Sequence, residues 1–317
     1  MGDSEPIVQN ENEEIVFENA SFWHPSRMPY KLVTLFFICF LSFGNYFVYD
    51  NPAALQDQIL DDMKVTLSDY AILYSVYSWP NVVLSIIGGF LVDAVFGIRF
   101  GAIIFSLIVT AGQAVFAMGA LTGQYWLMIL GRFIFGLGGE NLAVCQNLYS
   151  AIWFKGDMLN MVFGIQLSIS RLGSSANLWT MEKIYDSIAS LVSSSPGYVA
   201  LGLSLFVGGA FCIYSLFCAT VLLFLDRHGK KVLQRKEREG QVSCKDLAEI
   251  AEVRHFPLQM WLICIICVTY YVAIFPFVSI AQTFYIMKYI MDASAANTVN
   301  SLVVSFLFNN NSGLLDI

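Results

Sequence analysis

Charged residues are scarce in this chain: they make up 13% of its 317 residues, against a hydrophobic share of 57% and a mean hydropathy of +0.63. So little charge excludes a soluble core as the whole answer, because that much apolar surface needs lipid as part of its solvent. The formal charge of −7 is split by position, with acids in residues 3–18 and 57–69 and bases in 227–238, and it leaves no nucleic-acid footprint. Histidine is scarcer still. His24, His228 and His255 all fall outside the apolar runs, where none can relay a proton across a bilayer. No nucleophile–base pair and no metal-ligand set is spaced along the chain, which argues against an enzyme and calls for no cofactor.

Other absences narrow the reading. Of seven cysteines, Cys39, Cys145, Cys212, Cys218, Cys264 and Cys267 lie in apolar runs and Cys244 in a basic loop, so no pair is placed for an extracytoplasmic disulfide. Cys264 and Cys267 form a C-x-x-C inside the run Met260 to Val272, where packing thiols are the plainer reading than a redox motif. Residues 1–30 are acidic and polar, without the basic start and short apolar run of a signal peptide. Pro6 stands where a myristoylation motif needs Ser or Thr. Glycosylation sequons occur only at Asn19-Ala20-Ser21 and Asn310-Asn311-Ser312, outside the loops expected to face away from the cytoplasm. In a degradative compartment, a chain without its own glycan shield invites a protecting partner.

Long apolar runs are what the chain does have. Spans are expected at 31–49, 70–92, 99–121, 125–149, 158–180, 198–225 and 258–286, each near or above the ~20 residues a membrane helix needs. Short alternating segments of a transmembrane barrel are not the pattern, so the fold class is all-α and polytopic. Arg27, Lys31, Arg99, Lys155 and the cluster Arg227, Lys230, Lys231, Arg235, Lys236 and Arg238 fall on one side, which the positive-inside rule makes cytoplasmic, with the N-terminus. The expected organisation is an acidic tail at 1–30, a six-helix lobe at 31–225, a cytoplasmic linker at 226–257 and an incomplete second lobe at 258–317. After Asp292 an eighth apolar run, Thr298 to Phe308, is too short to span, and the expectation is a helix cut short.

Two charges stand deep in the fourth and fifth spans. Glu140 lies 15 positions before Lys155 and Arg171 lies 16 after it, so on antiparallel helices both sit roughly 22–24 Å from that turn, level with each other. Intramembrane ionisable residues are functional-site candidates by default. The plainer alternative is a permanent ion pair, which would offset about 2.5–3.5 kcal/mol of insertion cost per charge. Gly136, Glu140 and Asn147 share one face of the fourth span, and Gly164, Ser168, Arg171 and Ser175 one face of the fifth. Level counting adds Tyr46 on the first span and Tyr77, Trp79 and Asn81 on the second.

The loop Gly88-Gly89-Phe90-Leu91-Val92-Asp93-Ala94-Val95-Phe96-Gly97-Ile98-Arg99 resembles the G-x-x-x-D-x-x-x-G-x-[RK] hinge of the major facilitator superfamily. Gly89 allows close helix approach, Gly97 a tight turn, and Asp93 can accept from helix amides or pair with Arg99. Arg132-x-x-x-Gly136-x-Gly138 is similar to a second pattern of that superfamily. The resemblance implies gating roles for Gly89, Asp93, Gly97, Arg99, Arg132 and Gly136, with Arg132 holding the fourth span against its neighbours. Phe163-Gly164-Ile165-Gln166 lacks the G-P-x-x-x-G-G of the superfamily's antiporters.

Tyr49-Asp50-Asn51-Pro52-Ala53-Ala54-Leu55-Gln56, Tyr77-Ser78-Trp79-Pro80, Gly138-Gly139-Glu140-Asn141 and Tyr270-Tyr271-Val272-Ala273-Ile274-Phe275-Pro276-Phe277 resemble, more narrowly, a lysosomal dipeptide-carrying branch of that superfamily. This resemblance implies a lysosomal multi-pass uniporter of dipeptides, with a glycosylated lysosomal membrane protein as accessory subunit. The non-transporting form of a truncated chain and a carrier for another small organic solute are the alternatives. A dipeptide presents an ammonium and a carboxylate at a nearly fixed separation. Arg171 would hold the carboxylate with its planar fork and Glu140 would receive the ammonium, with Tyr46, Tyr77, Trp79, Asn81 and Ser168 as the wall.

Overall fold

The computed structural model describes residues 24, 25, 27–90, 92, 97–233 and 257–309. Among them are eleven α-helices and no strand: α1 (Met28–Leu41), α2 (Phe43–Tyr49), α3 (Asn51–Ala54), α4 (Gln56–Met63), α5 (Leu67–Phe90), α6 (Gly97–Leu121), α7 (Tyr125–Trp153), α8 (Asp157–Leu191), α9 (Gly197–Leu233), α10 (Leu258–Tyr289) and α11 (Ala293–Asn309). The expected all-α class holds. Cys244, the acids of residues 3–18 and Asp93 lie outside the described residues.

Local chemistry sets the helix ends. Pro29 stands in the first turn of α1, where its missing N–H costs nothing. Before α5, the Thr66 amide donates to Asp69 Oδ2 at 3.0 Å while the Asp69 amide donates to Thr66 Oγ1 at 3.2 Å, a reciprocal capping box. Gly123 at φ 67° turns α6 into α7, a conformation that a side chain would resist.

Among the described residues, five stretches are long and apolar enough to cross a membrane: Met28–Tyr49, covering α1 and α2, then Gly97–Leu121, Tyr125–Trp153, Gly197–Val232 and Leu258–Tyr289. The expected spans at 70–92 and 158–180 do appear as helices, α5 of 24 residues and α8 of 35, but are not among the five. Their length suffices at about 1.5 Å per residue. On α8 the stretch 158–180 is made less apolar by Asn160, Gln166, Arg171 and the serines at 168, 170, 174 and 175. The last run also differs: α11 begins at Ala293, a turn earlier than the apolar pattern suggests.

Small residues let the helices cross closely, as membrane packing requires where lipid removes the usual hydrophobic drive. A methyl on Gly112 of α6 would strike the Phe135 backbone of α7, and one on Gly131 of α7 would strike the Phe116 backbone of α6. Arg132 fills the space between those rings. It is 2% exposed, its guanidinium 4.5 Å from the Phe116 centroid and 5.5 Å from that of Phe135, and its Nη2 donates to the Val48 carbonyl at 3.5 Å. Arg132 therefore ties α7 to α6 and to α2.

Helices α10 and α11 dock on the earlier bundle at one end only. Tyr70 Oη donates to the Ser279 carbonyl at 2.8 Å, the Thr283 amide to Gln56 Oε1 at 3.3 Å, and Asn297 Nδ2 to the Ala54 carbonyl at 2.9 Å. Ser305 Oγ donates to Ser175 Oγ at 2.8 Å. At the other end of α10, residues 258–268 are all exposed. The seam between the two parts is shut beside α3 and α4 and open towards Leu258.

Candidate functional site

The two charges expected to be level do gather around one residue. Arg171 is 8% exposed on α8, and its guanidinium lies 5.0 Å from the Tyr46 ring centroid and 5.6 Å from that of Phe275. A desolvated cation over aromatic faces gains about 2 kcal/mol or more, which helps to hold a guanidinium at this depth. Glu140 is on the exposed side of α7, and its Oε1 accepts from Tyr77 Oη at 3.1 Å. Tyr46, half-buried on α2, is close enough to feel both the Arg171 and the Glu140 charge.

Helix α5 places Tyr77 there because Tyr70, Leu73 and Tyr77 recur at i+3 and i+4 as its buried face. The Gly136 position is close-packed against the Tyr77 carbonyl, and Gly139 faces Tyr77 Oη and Asn45. Asn45 Nδ2 also donates to the Gly139 carbonyl at 3.4 Å. Thus α5 holds the carboxylate through Tyr77, while α2 and α5 pack on the α7 backbone beside it.

Not every expected wall residue joins. Trp79 is 66% exposed, on a stripe with Ile72 and Val82, because two residues on from Tyr77 the helix has turned by ~200°. Asn81 spends its Nδ2 on the Tyr77 carbonyl at 3.2 Å, and Ser168 its hydroxyl on the Gly164 carbonyl at 2.9 Å. Both are half-buried and bonded to their own helices. Lower on the same face, Gln166 Nε2 donates to Asn147 Oδ1 and Ser150 Oγ donates to Gln166 Oε1 at 2.7 Å, which clamps α7 to α8.

Among the residues expected at the hinge, Gly97 has φ +68° and opens α6 with open space where a β-carbon would stand, and Gly89 lies within α5. Arg99 finds a partner that the loop pattern did not suggest: its Nε meets Asp226 Oδ2 at 2.6 Å, joining the start of α6 to α9.

Sequence reasoning missed Phe275, Tyr49 and Asn45. Tyr49 packs edge-on between Tyr77, at 4.8 Å, and Phe275, at 6.2 Å. Its signal was available, since it follows Tyr46 at i+3. Phe275 had a weaker signal, an aromatic beside Pro276 on a separate helix, and only docking of α10 brings it over Arg171.

A bundle of long apolar helices, with Arg171 buried on α8 and Glu140 on the exposed side of α7, is that of a polytopic membrane protein. The sequence profile described as Major Facilitator Superfamily matches residues 35–316, and the chain belongs to that superfamily. It is 49% identical over 280 residues to the human protein named Lysosomal dipeptide transporter MFSD1, covering 88% of this chain and 59% of that one. The proteins of the same name from Danio rerio and Gallus gallus are 48% and 42% identical, again over 88% of this chain, covering 59% and 57% of theirs. The chain thus spans about three-fifths of the length of the curated relatives it matches. Among solved structures it is similar to a bacterial homologue of the human drug peptide transporters PepT1 and PepT2, with a TM-score of 0.54 at 13% identity over 90% of this chain and 53% of that one. That likeness shows the fold. The superfamily resemblance carried by the 88–99 loop and by Arg132 to Gly138 is borne out.

Proposed function

We propose that the chain carries the substrate-gripping half of a lysosomal dipeptide uniporter that works by alternating access. The observation that carries this reading is the convergence of Arg171, under Tyr46 and Phe275, and Glu140, held by Tyr77, around one half-buried tyrosine. A guanidinium and a carboxylate so placed suit the two termini of a small zwitterion, while the side chains between them go unread. In this reading Arg171 binds the carboxylate bidentately, Glu140 binds the ammonium, and Gly89, Gly97, Arg99, Arg132, Gly136 and Asp93, which lies outside the described residues, serve the hinge and the packing that let the lobes rock. The 49% identity to a protein named for lysosomal dipeptide transport supports the substrate class and the compartment.

The N-terminus lies in the cytoplasm, lipid surrounds the bundle, and a glycosylated lysosomal membrane protein is the accessory partner. The divisions at 31–225, 226–257 and 258–317 are those of a first lobe, a linker and the start of a second. The test is dipeptide flux into proteoliposomes holding this chain, beside the same chain with a complete second lobe. Flux that Arg171→Ala abolishes while insertion and sorting persist is the expected result; flux retained in that variant overturns the grip. An inserted wild-type chain without flux beside an active longer one takes the second reading, a non-transporting form.

A further inference from the structure

The shut end of the seam contains a carboxyl that the transport reading does not use. Glu182 of α8 is 7% exposed and lies two residues past the expected fifth span. It faces Asn297 of α11, which is 1% exposed. The Asn297 amide nitrogen donates twice, to Glu182 Oε2 at 2.9 Å and to the Ala54 carbonyl at 2.9 Å, so both of its hydrogens are used. Two acceptors on one nitrogen fix which way the amide points. Its oxygen, Oδ1, is buried and accepts nothing from the protein.

An orphaned buried acceptor costs about 1–3 kcal/mol, and an ionised carboxylate beside it supplies no donor. A protonated carboxyl supplies one. The charged groups nearby make ionisation harder: Asp186 on the same helix, Asp57 on α4 and Asp292 before α11 all act on Glu182 with the same sign. Lys183, the neighbouring base on α8, holds its Nζ 4.0 Å over the Trp179 ring on the exposed side. Asp62 of α4 is engaged by Tyr185 Oη at 2.7 Å, and α3 and α11 carry no charged residue.

We propose that Glu182 is a proton-binding site built into the seam, occupied while α11 is closed on α3 and α8 and emptied as they part. The proton completes an acid–amide pair: Asn297 Nδ2–H to one carboxyl oxygen, and the carboxyl O–H to Asn297 Oδ1. Burial raises the Glu182 carboxyl from its ordinary value to about 7, with the Asn297 hydrogen bond opposing and the three aspartates adding. The sign follows. Opening the seam to water returns the carboxyl towards the usual ~4.3 of glutamate, so the closed form binds the proton more tightly. Acid between those limits favours closure, and a rise through about 7 releases the proton and loosens the seam. A compartment acid on this face would hold the seam shut, whichever solute the protein carries.

The test uses the 317-residue chain in lipid nanodiscs, with spin labels at Lys183 on α8 and at Ser294 on α11. The wild-type distance distribution shifts from short to long as pH rises, with a midpoint near 7. Glu182→Gln, whose amide can make both bonds to Asn297 at every pH, stays short from acid to alkaline. A wild-type distance that ignores pH, or an unchanged midpoint in Glu182→Gln, overturns the proposal. Should that variant fail to fold, the infrared carbonyl band of buried carboxylic acid in the wild-type chain decides it. Asn297→Leu must shift the pH at which that band disappears downwards or upwards, and a band indifferent to this change also overturns the assignment. Neither readout uses dipeptide flux, so failure here and failure of the transport reading are told apart.

Discussion

Tyr77 donates its phenolic hydrogen to Glu140 Oε1 at 3.1 Å and so joins α5 to α7 at the level where Arg171 lies over Tyr46. The tyrosine is 5% exposed and the carboxylate is open, so the bond aims a charge from a buried anchor into the face between the lobes. Removing the hydroxyl leaves the charge in place and takes away its orientation. Tyr77→Phe is therefore expected to weaken substrate binding rather than abolish it, by roughly 1.5–3 kcal/mol for a bond to a charged group. That is about 10- to 150-fold in the apparent dissociation constant for a dipeptide, read by substrate-dependent thermal stabilisation.

Arg171 gives a sharper contrast. Its planar fork under two rings is what a lysine cannot copy, because an ammonium is a strongly hydrated point charge. Arg171→Lys is expected to lose at least about 10-fold in dipeptide affinity, a loss of ~1.4 kcal/mol or more. Phe275→Leu, which keeps the charge and removes one face, is expected to cost about 1–2 kcal/mol. Equal binding by Arg171→Lys and wild type would show that charge alone matters.

Arg132 predicts a stability effect instead. With its side chain 2% exposed between Phe116 and Phe135, truncation opens a cavity where α6, α7 and α2 meet. Arg132→Ala is expected to destabilise the bundle by about 3–5 kcal/mol, in the range of large core deletions. Arg132→Met, which refills the volume without the charge, should recover a good part of that loss. Thermal unfolding of the detergent-solubilised chain measures both, and a Met variant no better than Ala would point to the charge rather than the volume.

The 2.6 Å contact of Arg99 with Asp226 is the fourth test. The carboxylate is 6% exposed and the guanidinium 18%, so the pair is shielded enough to couple. A double-mutant cycle of Arg99→Gln and Asp226→Asn is expected to show a coupling of about 1–3 kcal/mol, larger than for an open surface pair. Restoration by the swap Arg99→Asp with Asp226→Arg would place the effect in the pair itself.

Much of this site was legible because a helix has one period. Counting from Lys155 puts Glu140 and Arg171 at the same depth, and the structure sets both around Tyr46. The same period sends Trp79, which shares a depth with Tyr77, about 200° away from it. Depth is a one-dimensional quantity that sequence can give; direction requires knowing which face meets a neighbour. Arg99 shows a related limit. Its partner Asp226 is 127 positions away, which no local pattern encodes, while Asp93 lies outside the described residues.

By itself, the sequence determined the solvent, the helical class, most of the span positions and the superfamily, because each depends on local composition and spacing. It also named the two charges that stand out most against an apolar background, Glu140 and Arg171. Only the tertiary structure decided what holds them. Phe275 reaches Arg171, and Asn297 reaches Glu182, through docking of α10 and α11 on helices more than a hundred residues earlier, and no periodicity encodes that contact. The physical reason is that a side chain's partners are set by how whole helices pack. The opening pair is thus two charges placed by their own helices and made into a site by aromatic and amide groups from others.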